Sequence, residues 1–156
     1  MSLFQNIIII IVLITGAGFL ALTEIALAGA RKVKLKILAE SGEERAQKVL
    51  DLQENSADFF AASQIGLNAI AILGGILGEG AFRPYFFNLV NRFYTGQWAE
   101  TISFALSFTL VTSLFILFAD LMPKRLAMIA PEKISISVIE PIQIFIKVCK
   151  PLAWII

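Results

Sequence analysis

The sequence predicts an all-α integral membrane domain. It has three transmembrane helices, amphipathic juxtamembrane helices, an N-terminus outside and a C-terminus in the cytoplasm. Composition is the first reason: of 156 residues 58% are AVILMFWYC, thirteen are Phe and only 16% are charged. Soluble domains hold roughly 45–50% apolar residues. Mean hydropathy is +0.81. The second reason is three apolar runs, at about 3–29, 59–82 and 102–122. Each suffices for the roughly 20 helical residues that cross a ~30 Å hydrocarbon core. The third is where the thirteen Lys and Arg fall. None precedes Arg31, six lie in 30–58, two (Arg83, Arg92) in 83–101 and five beyond the third run. By the positive-inside rule, 30–58 and the C-terminal part face the cytoplasm and 83–101 faces outward.

The first run lacks a basic n-region and is too long for a signal-peptide core, so it is a retained span. Residues 31–55 then read as two amphipathic pieces on the membrane face. Val33 and Ile37 mark one, Val49 and Leu50 the other, and Ser41-Gly42 break them. The outer connection from Arg83-Pro84 to Glu100 carries Tyr85, Tyr94 and Trp98, residue types of an interfacial aromatic belt. Gly78-Glu79-Gly80, at the outer mouth, reads as a solvated turn. Gly74-x-x-x-Gly78 serves either helix packing or a dimer contact. Residues 131–156 are apolar but interrupted by Glu140, Pro141, Lys147, Lys150 and Pro151. A central ion costs about 2.5–3.5 kcal/mol in a span, so this stretch is expected as an interfacial helix entering the membrane at most partway. It stops in mid-pattern at Trp154-Ile155-Ile156, from which a following cytoplasmic domain is expected.

Several chemistries are excluded. With no His and a single Cys149, there is no disulfide framework, no Cys/His zinc site and no Ser-His-Asp or Cys-His catalysis. A net charge of +1 gives no field for nucleic acid. An enzyme is not expected. The informative residues are polar ones inside the spans. Ala17, Ala21, Glu24 and Ala28 share one face of the first, and Gln64, Asn68, Ala71 and Gly75 one face of the second. Thr109, Ser113, Ile116 and Asp120 do so on the third. Glu24 and Asp120 lie near the cytoplasmic ends of their helices, with Gln64 and Asn68 in the inner third to the middle of theirs. The four could share one inward-opening cavity. Pro123, without an N–H, leaves the Ala119 carbonyl without its helical partner and free as a further ligand. Such oxygen donors suit hard cations. Plainer roles stay open: Glu24 as a partner for Arg31 or Lys32, Gln64 and Asn68 as interhelical hydrogen-bonding residues, and Asp120 with Lys124 as an i,i+4 ion pair.

Thr23-Glu24-Ile25-Ala26-Leu27, the basic cytoplasmic helix, the Gln64–Asn68 segment and Ala119-Asp120-Leu121-Met122-Pro123-Lys124 together resemble the transmembrane domain (DUF21) of the CorC/CNNM family of magnesium transporters. The resemblance covers nearly the whole chain, 1–156. It implies a homodimer in the lipid bilayer of the inner (plasma) membrane, with a CBS-pair domain of the same chain following in the cytoplasm. It also implies export of a cation, Mg²⁺ or another divalent ion, as cargo rather than as a fixed cofactor. The family's site uses a Ser in the first span, two Asn four apart in the second and the Gly-Glu of G-E-x-x-P-K in the third. Here Asn68 matches the second Asn, Gln64 stands at the first, Ala21 stands at the Ser with Thr23 the nearest hydroxyl, and Ala119-Asp120 replaces Gly-Glu. The expected cation site is therefore Thr23, Glu24, Gln64, Asn68, Ala119 and Asp120, with Asn68, Asp120 and Gln64 as direct ligands and Pro123 as the helix break. Because Mg²⁺ demands near-ideal octahedral distances, these departures leave two alternatives beside the divalent cation. One is a site retuned for a small organic cation such as a polyamine, the other a dimeric membrane anchor that does not transport. Cysteines placed singly at Ser2, Ser41 and Gln97, in a Cys149→Ala background, test the topology: positions 2 and 97 should label from outside, and labelling of position 41 from outside would overturn it.

Overall fold

A computed structural model describes residues 3–153, with side chains from 4 to 148. Trp154-Ile155-Ile156 therefore lies outside the described residues. These are helical throughout apart from short turns: α1 (Leu3–Gly29), α2 (Lys32–Glu40), α3 (Glu44–Glu54), α4 (Ala57–Asn91), α5 (Ala99–Leu114), a π-helical segment (Phe115–Leu121), α6 (Met122–Ile129) and α7 (Pro131–Ala153). Three helices are long and apolar enough to cross a membrane: Phe4–Gly29, Ala57–Asn91 and Ala99–Ile129.

Gly42, at φ +101°, makes the turn between α2 and α3, a conformation that favours glycine. In α2 Leu35 is buried while Val33 and Ile37 stay exposed, the face that the sequence turns to the membrane surface. α4 is longer than expected, running through Pro84 to Asn91 where an outer loop is predicted. Pro84 deprives the Gly80 carbonyl of its helical donor, but Gly80 has open space beside it, so no packing is lost. Gly78-Glu79-Gly80 is thus mid-helix rather than a solvated turn. Only residues 92–98 connect α4 to α5.

Glycines set the helix spacing. A Cβ on Gly74 would overlap the Phe115 ring, and one on Gly78 would overlap Val111. The Gly74-x-x-x-Gly78 motif therefore packs α4 on the third span of the same chain, as small residues do where backbones approach in lipid. At one end of the bundle sits the main apolar cluster: Leu27 of α1 and Ala30 just after it, Leu35, Ala46, Val49 and Leu50 from α2 and α3, Phe59 of α4, and Ile139 and Ile142 of α7. Gln53 of α3 donates to the carbonyls of Leu27 (2.8 Å) and Ala30 (2.9 Å), which satisfies acceptors at the end of α1. α7 docks on this cluster, as an interfacial helix should, and is absent from the candidate spans. In its first turn Glu132 meets Lys34 at 3.4 Å.

Hydrogen bonding to its own backbone N–H, aided by the Lys34 charge and opposed by burial, holds the Glu132 carboxyl below its ordinary 4.5. A lowered folded-state pKa stabilises fully above 4.5, and that contribution is lost as pH falls through the folded value. Thermal stability should therefore drop on acidification below about 4.5, less steeply in Glu132→Gln than in the parent. Gly78→Ala should cost about 1–3 kcal/mol by overpacking against the stiff Val111, with recovery in Gly78→Ala/Val111→Ala. Gly75→Ala, with nothing within 4 Å, should leave the melting temperature unchanged.

Candidate functional site

The third span departs from α geometry at the residues that matter. The Met122 N–H bonds to the Leu117 carbonyl, an i→i+5 step of the π register. One step further the donor would be Pro123, which has none. In this register the carbonyl that Pro123 leaves without its partner is Phe118's, where an α register leaves Ala119's. It faces Gly18 of α1: a Cβ there would stand 3.4 Å from the Phe118 oxygen and 3.1 Å from Pro123 Cγ. A larger residue would press Pro123 outward by a few tenths of an ångström, so glycine fits this approach best.

The π turn also re-aims the side chains at its C-terminal end. Each π turn holds more residues than an α turn, so Thr109 and Ser113 do not share a face with Asp120 as a straight helix would require. The α5 face packed on α4 is instead Ser103, Ser107 and Val111, all buried. Ile116, Ala119 and Asp120 turn toward α1 and α4, where they meet Ala17, Glu24, Gln64, Asn68 and Lys124 around a cavity of about 290 Å³. Five of the six expected site residues thus come together. Thr23 does not: it is fully buried, and its hydroxyl donates to the Phe19 carbonyl of its own helix at 2.7 Å. Ala21 is also fully buried. No hydroxyl from α1 lines the cavity.

Of the plainer roles, one is realised. Among the described residues Glu24 forms no ion pair with Arg31 or Lys32. Gln64 and Asn68 are exposed and, among the described residues, hydrogen-bond to no neighbouring helix, so their amides are available to the cavity. Asp120 does pair with Lys124, Oδ1 to Nζ 2.6 Å, with both side chains partly exposed. Lys124 itself lines the cavity. Its i,i+4 spacing marked the pair in the sequence, though not its place in the site. The arrangement offers two carboxylates and two amides to a cation, on walls of Ala17, Leu67, Phe115 and Ile116.

Comparison with known proteins gives the family. Residues 8–156 match the family described as the cyclin M transmembrane N-terminal domain. The chain is 50% identical over 150 residues to the polyamine export protein of Escherichia coli K12, covering 96% of this chain and 34% of that protein. It is 44% identical to the polyamine export protein of Haemophilus influenzae over 99% of this chain and 36% of the relative. To a UPF0053 protein of Synechocystis it is 30% identical over 94% of this chain and 33% of the relative. The chain thus spans about a third of the length of these curated relatives.

Proposed function

The chain belongs to the cyclin M transmembrane family, and from that premise we propose that it forms the membrane path of an exporter whose cargo is an organic polycation of the polyamine class. It is a membrane transporter domain with three apolar helices. The observation that carries the finer reading is the Lys124 ammonium, seated on Asp120 at the cavity wall. A primary alkylammonium on a carboxylate, with amide carbonyls and apolar walls beside it, is the contact a polyamine terminus needs. The cavity, about 290 Å³, lies near the lower end of small-molecule sites. The relatives at 44–50% identity bear the name polyamine export protein.

In this reading Glu24 and Asp120 supply charge, while Gln64 and Asn68 supply carbonyl oxygens. The substrate ammonium replaces Lys124 on Asp120. Such exchange is cheap, because a part-exposed ion pair is worth only about 0–1 kcal/mol. The six basic residues of 30–58 support a cavity that opens to the cytoplasmic side. A plasma membrane and a homodimer completed by a cytoplasmic CBS-pair domain are part of the same proposal. The oxygen-only donor set favours a second reading, a divalent cation such as Mg²⁺.

Binding isotherms of the purified protein in lipid nanodiscs, with spermidine and with Mg²⁺, separate the two. Asp120→Asn should weaken spermidine binding more than tenfold. Lys124→Gln should tighten it by removing the internal competitor, and Asn68→Leu should weaken it without loss of insertion. Saturable Mg²⁺ binding that depends on Asp120 and that spermidine fails to displace would move the assignment to the divalent ion. Unaltered binding of both cations in Asp120→Asn would remove the site.

A further inference from the structure

The stripe on α4 does not end at the cavity. Gln64, Asn68, Ala71, Gly75 and Glu79 succeed one another at spacings of four, three, four and four, which keeps them on one helix face. Ala71 is common to the Asp120 cavity and to a second one of about 340 Å³, which is lined further along α4 by Gly75 and Glu79 and from α5 by Phe104 and Phe108. The two cavities thus form one groove. Eleven residues separate Asn68 from Glu79, about 16 Å along a helix axis.

Glu79 is unusual for a carboxylate at the edge of a span. Its side chain is only 16% exposed, and its Oε1 is buried without a hydrogen bond. The Arg83 Nε stands 3.6 Å from that oxygen, too far for a hydrogen bond. Ser107 donates to the Glu79 backbone carbonyl at 2.9 Å and ties this turn of α4 to α5. Phe104 and Phe108 stack with centroids 5.9 Å apart and planes at 16°, and the Arg83 guanidinium carbon lies 5.9 Å from the Phe104 centroid. One cation of the chain itself is therefore held between a carboxylate and an aromatic face. A buried carboxylate oxygen that has a charge nearby but no hydrogen bond costs free energy that an incoming ammonium donor recovers.

We propose that Glu79, Phe104 and Phe108 form a second cation station, which receives an ammonium group of an organic polycation after it leaves the Asp120 cavity. The proposal rests on the export reading and adds the path beyond the first site. The donor set decides the ligand class. One carboxylate and two rings suit an ammonium with its alkyl chain, whereas Mg²⁺ holds out for oxygens. Arg83 is the internal stand-in, displaced when substrate arrives, as Lys124 is at Asp120.

Spermidine and Mg²⁺ binding to the intact protein in nanodiscs, with spermidine efflux from proteoliposomes, tests this. Asp120→Asn should retain a spermidine site that Glu79→Gln removes in the double variant. Phe108→Leu should weaken that site about threefold or more, the loss of one cation–π contact, with Mg²⁺ binding unchanged. Arg83→Gln should tighten it, and Glu79→Gln should slow efflux while the Asp120 site still binds. Absence of residual binding in Asp120→Asn, or residual binding indifferent to both Glu79→Gln and Phe108→Leu, overturns the station. Should Asp120→Asn bind and export like the parent while Glu79→Gln does neither, the export path through Asp120 fails and the station at Glu79 stands.

Discussion

The missing N–H of Pro123 is the constraint on which the site depends. An α-helix entering this proline would lose one bond and clash with the carbonyl of Ala119, at a cost of about 3 kcal/mol or more. The chain instead widens into a π turn over Phe115–Leu121, whose last donor is Met122. That widening needs room on one side, and Gly18 of α1 supplies it. It also rotates Asp120 into the space between α1 and α4. Proline, π turn, glycine and carboxylate are thus one device, spread over two helices. Seven residues of π-helix are costly on their own, and π turns occur most often where they aim a functional side chain.

Two of the three acidic positions in the groove carry a base four residues on, Lys124 after Asp120 and Arg83 after Glu79, while Glu24 has Ala28 there. Such neighbours ease insertion, because a lone carboxylate at membrane depth is expensive. They also offset two of the three negative charges of the groove and leave Glu24 without a counter-ion among the described residues. The pairs differ in kind: Lys124 touches its carboxylate at 2.6 Å, while Arg83 stands off at 3.6 Å and leans over Phe104. The first is a point charge on a flexible stem, the second a planar cation that stacks on rings. Chemistry that tolerates both kinds of internal cation suits a flexible polyamine better than a strictly octahedral ion.

Much of this was legible in the sequence. Run lengths and basic residues gave the three spans and the basic connecting helices, and spacing on each helix gave Glu24, Gln64, Asn68 and Asp120. Failures occurred where backbone geometry left the straight helix. Thr109 and Ser113 were placed beside Asp120 by a 3.6-residue count that the π turn interrupts. The freed carbonyl moved from Ala119 to Phe118 for the same reason. Thr23 looked like a ligand hydroxyl, but in a helix a threonine can satisfy its own backbone at i−4, as it does here with Phe19. Glu79 was hidden by its glycine neighbours, which read as a turn; Gly78 is in fact an intrachain packing contact with Val111.

Where the apolar core sits explains how such a groove stays movable. Between helices in lipid there is no hydrophobic drive, since acyl chains are as apolar as leucine. The largest apolar cluster accordingly lies at the juxtamembrane end, among the ends of α1 and α4 and the flanks of α2, α3 and α7. Gln53 fastens α3 to the last turn of α1 with two hydrogen bonds. Glu24 lies three residues before Leu27, so the fastening point and the site share one helical turn of α1. Along the groove, by contrast, the amides of Gln64 and Asn68 bind no other helix among the described residues, and the carboxylates of Glu79 and Asp120 hold replaceable partners. Stability is concentrated at one end of the bundle and chemistry along its length. The contacts that fasten α3 and α7 to the end of α1 therefore also fix the turn that carries Glu24, while the far side of the cavity is left free of cross-links among the described residues.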